Sequence, residues 1–140
     1  MVSPRYLIDT SVLSEPVRKR PDRVVVTKLR QHGRELATAS VVWHEMIFGV
    51  QLLPRSRKRS AIERYMSEVI ATSMSLLPYD AAAAEWHGKQ RARLTRKGLT
   101  TSFADGQIAA VAAVNDLIVV TDNVRDFEDF QGLRIESWRD

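Results

Sequence analysis

The sequence predicts an α/β fold built on a parallel sheet, and two observations carry that prediction. Short apolar runs of strand length alternate with longer segments of helical periodicity. The run LIVVT at 117–121 is β-branched almost throughout, as in strands buried on both faces. With 140 residues the chain is expected to form one domain over 1–140. By size scaling roughly two thirds of the unfolded surface should then be buried.

Tyr6, Leu7 and Ile8 read as a short buried strand, and Asp9, Thr10 and Ser11 offer caps for a turn or short helix after it. Pro16 and Pro21 mark a loop between pieces of helix. Residues 36–39 predict a second strand, with Ser40 as cap of a helix over 42–53 that Pro54 closes. Val42, Met46, Gly49, Val50 and Leu53 have its spacing. A second amphipathic helix is predicted over 58–72, with Ile62, Tyr65, Met66, Val69 and Ile70 as its apolar stripe. Residues 75–79 fit a strand or an extended connector. Asp80 caps a long helix with Ala83, Trp86, Gln90, Arg93 and Leu94 along one side, and Gly98 stops it. Ser102 and Asp105 form a capping-box pattern for an apolar helix to about Val114. Asn115-Asp116 is a turn, 117–121 a strand, DNVRDFEDF a turn or short helix, and 133–135 a last strand after Gly132.

Composition narrows the function classes. No apolar stretch reaches membrane-spanning length, so no membrane association is expected. No basic segment followed by a long apolar run opens the chain, so no secretion signal is expected. The absence of cysteine excludes disulfides, thiolate chemistry and cysteine-ligated zinc, and fits a cytoplasmic protein. Net charge is +4, unevenly spread: residues 116–140 carry seven acids and three bases, the rest ten acids and eighteen bases. Two basic runs, RSRKR at 55–59 and KQRARLTRK at 89–97, could receive a polyanion, with Arg57, Arg59 and Arg93 as candidate substrate contacts.

The acids recur at one kind of place. Asp9 ends the first strand. Glu45 lies early in the helix after the second. Asp105 is in the first turn of the helix near 103–114, and Asp122 follows the strand 117–121. In an open parallel sheet, strand carboxyl ends and following helix amino ends share one edge, where ligands bind. A carboxylate cluster there is costly without a cation. A hard divalent ion, magnesium or manganese, suits such oxygen ligands, with Asp9 and Asp105 as direct ligands and Glu45 and Asp122 beside them. Such a metal polarises a phosphodiester and activates water, so the chemistry suggested is nucleic-acid hydrolysis. Ser11 and Thr121 stand where a hydroxyl could hold a carboxylate or a water in place. His32, His44 and His87 are scattered, which gives a histidine base or zinc site little support. Trp43, Trp86, Phe48 and Tyr79 read as core or interface aromatics. Six dispersed glycines form no phosphate loop, which weighs against an ATPase or dinucleotide enzyme.

The stretches YLIDTSVLSE (6–15), ATASVVWHEMIFGV (37–50), FADGQIAAVAAVNDLIVVTDNVRDF (103–127) and GLRIESW (132–138) together resemble a PIN-domain ribonuclease, more closely the VapC-type toxin of a type II toxin–antitoxin pair. The resemblance implies a three-layer α/β/α sandwich with a central, mostly parallel sheet. It implies magnesium- or manganese-dependent RNA cleavage, a cognate VapB-like antitoxin, and a homodimer or larger toxin–antitoxin complex. The family's first acid maps to Asp9, its helix glutamate to Glu45 and its third acid to Asp105. Its fourth maps less cleanly. Asn123 stands where the family often has aspartate, flanked by Asp122, and an acid precedes phenylalanine at Asp126. The fourth carboxylate is then Asp122, ranked first because it follows the strand directly, or Asp126, or neither, with Asn123 a possible hydrogen-bond donor. Two other functions use the same layout: a non-catalytic RNA- or partner-binding module, and a magnesium phosphatase or DNA nuclease.

Overall fold

The computed structural model describes residues 3–139. Five strands form one sheet in the order β3-β2-β1-β4-β5, every neighbouring pair parallel. They are β1 (Tyr6–Ile8), β2 (Leu36–Ala39), β3 (Ser75–Leu77), β4 (Ile118–Val120) and β5 (Ile135–Glu136). Helices α1 (Thr10–Leu13), α2 (Arg23–Gln31), α3 (Ser40–Gln51), α4 (Arg57–Tyr65), α5 (Ala71–Ser73), α6 (Ala81–Arg96) and α7 (Phe103–Val114) complete an α/β/α sandwich. β1, β2 and β4 are buried at every position, as apolar runs without alternation require. Thr38 is the polar exception in β2, and its hydroxyl donates to the Ile8 carbonyl at 2.7 Å.

The strand order sets the geometry that matters. The chain builds outward from β1 through β2 to β3, then crosses to the other side of β1 for β4 and β5. The order reverses between β1 and β4, so the crevice beyond their carboxyl ends is the topological switch point.

Helix termini follow local chemistry. Asp80 accepts from the Ala83 amide at 2.9 Å to open α6. Gly98, at φ +75°, closes it with Leu99 N–H to Leu94 C=O and Gly98 N–H to Thr95 C=O, a Schellman motif. Asp116 does the same for α7 at φ +56°. Ser102 caps α7 as predicted, its hydroxyl accepting from the Asp105 amide at 3.0 Å.

Three boundaries differ from expectation. Ser40 is the first residue of α3 rather than its cap; Ala39 takes the cap position, without a side-chain bond, because β2 runs straight into the helix. The helix predicted over 58–72 passes through a π turn at Met66–Ile70 between α4 and α5. Each residue there advances by less than the α-helical angle, so the apolar stripe drifts and Val69 is left exposed. The last strand lies at Ile135–Glu136 rather than 133–135, because those residues match Val119 and Val120 in register. Among the described residues no helix is long and apolar enough to cross a membrane.

Candidate active site

Asp9 sits at the switch point. It is nearly buried, and its backbone amide extends the β1–β4 ladder to Val120 C=O at 3.0 Å. One carboxylate oxygen accepts from the Thr10 amide at 2.8 Å, which opens α1. The other accepts from the Thr121 hydroxyl at 2.8 Å. Thr121 is fully buried at the end of β4, and its Oγ1 in turn accepts from the Asn123 amide at 3.0 Å. Both oxygens of Asp9 are therefore aimed by neighbours whose own positions the sheet fixes.

Glu45 is half-buried in the second turn of α3, and Asp105 is half-buried in the first turn of α7. Asp126 is exposed on a 3₁₀ turn, Val124–Asp126, that follows β4. Electrostatics ties the four together. Burial pushes the Asp9 carboxyl up; the bonds from Thr121 and Thr10 oppose this, and the charges of Asp105 and Asp126 add to it. Burial also raises Glu45, with the charges of Asp9 and Asp105 adding to the rise and His44 opposing it. Asp105 is raised by burial, opposed by Ser102, and raised further by Asp126. The charges of Asp105 and Asp126 thus bear on Asp9, and those of Asp9 and Asp105 on Glu45.

Asp122 faces a different partner. Its Oδ2 accepts from Arg139 at 3.1 Å, its amide donates to the Ser11 hydroxyl at 3.4 Å, and its buried Oδ1 has no hydrogen-bond partner among the described residues. Arg139 also pairs with Asp22 at 3.2 Å and with Glu15 at 2.8 Å. Glu15 is 1% exposed and held by Arg18 at 2.7 Å and the Asp22 amide. The penultimate residue of the chain is thereby clasped to three acids. The sequence reading gave Glu15 and Arg139 no role; between Ser14 and Pro16, Glu15 gives no local signal that it is buried.

The candidate substrate contacts are placed unevenly. Arg57 is exposed. Arg59 is bound within its own helical hairpin, to Glu63, the Leu53 carbonyl and Gln51. Arg93 bonds Gln90 and the Asp129 carbonyl, joining α6 to the segment after the 3₁₀ turn.

The glycine beside Asp105 is a further feature the sequence reading missed. A Cβ on Gly106 would lie 2.0 Å from Nε2 of His87, so α6 and α7 meet here only because residue 106 has no side chain. His87 is buried, its Nδ1 is 2.9 Å from the Tyr79 hydroxyl, and burial lowers its pKa. This contact fixes the first turn of α7, and with it Asp105.

Every candidate ligand is a carboxylate, and the buried Thr10 hydroxyl beside Asp9 has no partner among the described residues. That donor set suits a hard divalent cation. Among the described residues, no three acids or histidines are already drawn together into a metal-ligand cluster.

Comparison with known proteins identifies the family. The model of the PIN domain family matches residues 6–133. The chain is 33% identical over 136 residues to the tRNA(fMet)-specific endonuclease VapC of Shigella flexneri, covering 96% of this chain and 98% of that one. Its fold superposes on a crystal structure of FitAcB from Neisseria gonorrhoeae with a TM-score of 0.85 at 28% identity, over 93% of this chain and 95% of that one. DNA-bound VapBC from Salmonella typhimurium gives 0.82 at 28% identity, over 96% and 98%. With its strand order, its switch-point aspartate and this similarity over nearly its whole length, the chain belongs to the PIN-domain family, among the VapC-type ribonuclease toxins.

Proposed function

We propose that the chain, acting as one domain in the cytoplasm, is a magnesium- or manganese-dependent endoribonuclease whose metal is held by Asp9, Glu45, Asp105 and Asp126. The observation that carries this reading is the buried Asp9 at the switch point, both its oxygens aimed by Thr10 and Thr121, with the like charges of Asp105 and Asp126 pushing its carboxyl up beyond the effect of burial. A bound divalent ion would relieve that repulsion, polarise the phosphodiester and lower the pKa of a water. Thr121 and the Thr10 amide orient Asp9, Ser102 fixes the turn that carries Asp105, and the 3₁₀ turn after β4 presents Asp126. Asp122 has a structural part, anchoring Arg139.

The relatives suggest the partners. The S. flexneri relative is named for tRNA(fMet), so transfer RNA is the first substrate class to offer. The similarity to a DNA-bound VapBC structure supports a VapB-like antitoxin that carries the DNA-binding function. An apolar groove of about 590 Å³, lined by Pro16, Val26, Leu29, Tyr65, Val69 and Met74 and edged by Arg30 and Arg34, has the character of a seat for its chain. Exposed Ile47 and Phe48 on α3, with Leu52 just after it, support a homodimer.

The direct test incubates the purified, antitoxin-free chain with a pool of structured cellular RNAs under EDTA, magnesium or manganese, and sequences the cut ends. Metal-dependent cuts with 5′-phosphate and 3′-hydroxyl ends are expected. A 2′,3′-cyclic phosphate would show attack by the RNA's own 2′-hydroxyl and overturn the reading.

Two further outcomes follow. Magnesium or manganese should raise the Tm of the unmodified chain by about 5–10 °C at a hundredfold excess over Kd, by linkage. The gain should vanish in Asp9→Asn; an equal gain in both would place the ion elsewhere. Asp126→Asn should lower cleavage by roughly 10²-fold with little change in Tm. Asp122→Asn should lower Tm while cleavage persists, since it loses the Arg139 contact. The reverse pattern in parallel assays and melts would make Asp122 the fourth acid.

A further inference from the structure

Phe103 is the first residue of α7, two positions before Asp105, and its side chain is 53% exposed. It rests on α6. The His87 ring centre is 4.9 Å away at a tilt of 55°, and the Arg91 guanidinium carbon is 5.4 Å from the Phe103 centroid. Residues 87 and 91 are one turn apart on α6, so they support the ring from the same helix face. His87 is itself immobile, bonded to Tyr79 and wedged against Gly106. The result is an aromatic ring backed by a rigid base and open to solvent beside the acid cluster. Arg91 lies in the run 89–97, which has five bases and no acid.

We propose that Phe103, backed by His87 and Arg91, is a stacking platform for an unpaired nucleobase of the RNA substrate, next to the phosphate to be cut. This rests on the ribonuclease reading above. Every base has a π face, and stacking on an aromatic side chain is sequence-tolerant. The guanidinium, lying over part of the ring, adds a cation that would meet the adjoining phosphate. A prepositioned ring has little conformational freedom left to lose on binding. The platform would favour single-stranded or splayed-out nucleotides at the cut site and disfavour paired ones.

The test uses the Asp9→Asn chain, which should bind RNA without cutting it, and fluorescent single-stranded oligoadenylate. A second strand has abasic riboses at alternate positions. Phe103→Leu keeps apolar bulk for the fold, and Phe103→Trp keeps an aromatic face. Phe103→Leu is expected to weaken oligoadenylate binding roughly tenfold, and Phe103→Trp to retain or tighten it. The abasic strand should bind the parent more weakly, with little further loss on Phe103→Leu, because the two changes remove one contact. Unchanged affinity in Phe103→Leu, or equal losses in Leu and Trp, would overturn the platform. If in the same series chains with intact Asp9 still cleave RNA, the ribonuclease reading survives that failure. If no chain with Asp9 cleaves RNA, that reading falls and the platform with it.

Discussion

Asp9→Asn is expected to lower RNA cleavage by about 10³-fold while the protein stays folded. The carboxylate lies where β1 and β4 end and α1 begins, and both its oxygens are oriented by neighbours. Asparagine has the same shape, can still accept from the Thr10 amide, and can donate to Thr121 Oγ1 in place of accepting from it. What it loses is the charge. Without metal that charge is a burden, because the folded-state pKa of Asp9 is raised above its ordinary value of 3.8. A raised carboxyl binds more protons in the folded than in the unfolded state, so its contribution to stability falls as pH rises. The burden is absent below 3.8, grows as pH climbs to the raised folded value, and is complete above it. In EDTA, then, Asp9→Asn should gain in Tm relative to the parent as pH rises from 4 toward 7. Melts at matched pH, followed by circular dichroism, check this. A gap that widens in the opposite direction, or a variant that fails to fold, would make Asp9 a structural residue.

Gly106→Ala is expected to destabilise by about 3 kcal/mol or more, lowering Tm by roughly 10 °C. The added methyl would overlap the His87 ring, which cannot swing away. Its Nδ1 is bonded to Tyr79 and its face carries Phe103. The alternative to overlap is a shift of α7 away from α6, which would move Asp105 and lower cleavage as well. A second change separates the causes. His87→Ala alone leaves a cavity and should also destabilise. Combined with Gly106→Ala it should cost much less than the sum, because the clash has gone. Additive losses would mean that the close approach does not govern this contact.

How far the site was legible in the sequence varies residue by residue. Asp9, Glu45 and Asp105 could be placed at one sheet edge because strand ends and helix starts have sequence signals: apolar runs that stop, caps that follow. The fourth acid could not be resolved that way. Asp122 and Asp126 both follow the same strand, and proximity in sequence favoured Asp122. The charge of Asp126 bears on Asp9 and Asp105 while Arg139 holds Asp122, and on that difference we propose Asp126 as the fourth acid. No local pattern announces that Arg139 will reach residues more than a hundred positions earlier. Arg59 and Arg93 illustrate the same limit. A basic run predicts charge at a surface, yet it does not say which guanidinium is already bound within the fold.

By itself the sequence determined the class of fold, nearly all the elements, and the positions of Asp9, Glu45 and Asp105 at a strand end and at helix starts. These are local properties, set by periodicity, capping and residue type within a few positions. The tertiary structure alone decided that β4 lies beside β1, that Thr121 therefore bonds Asp9, that Arg139 holds Asp122, and that Gly106 brings α6 against α7. Those depend on strand order and helix packing. They arise from contacts between segments far apart in the chain, where burial and shape complementarity, not neighbouring residues, select the partner.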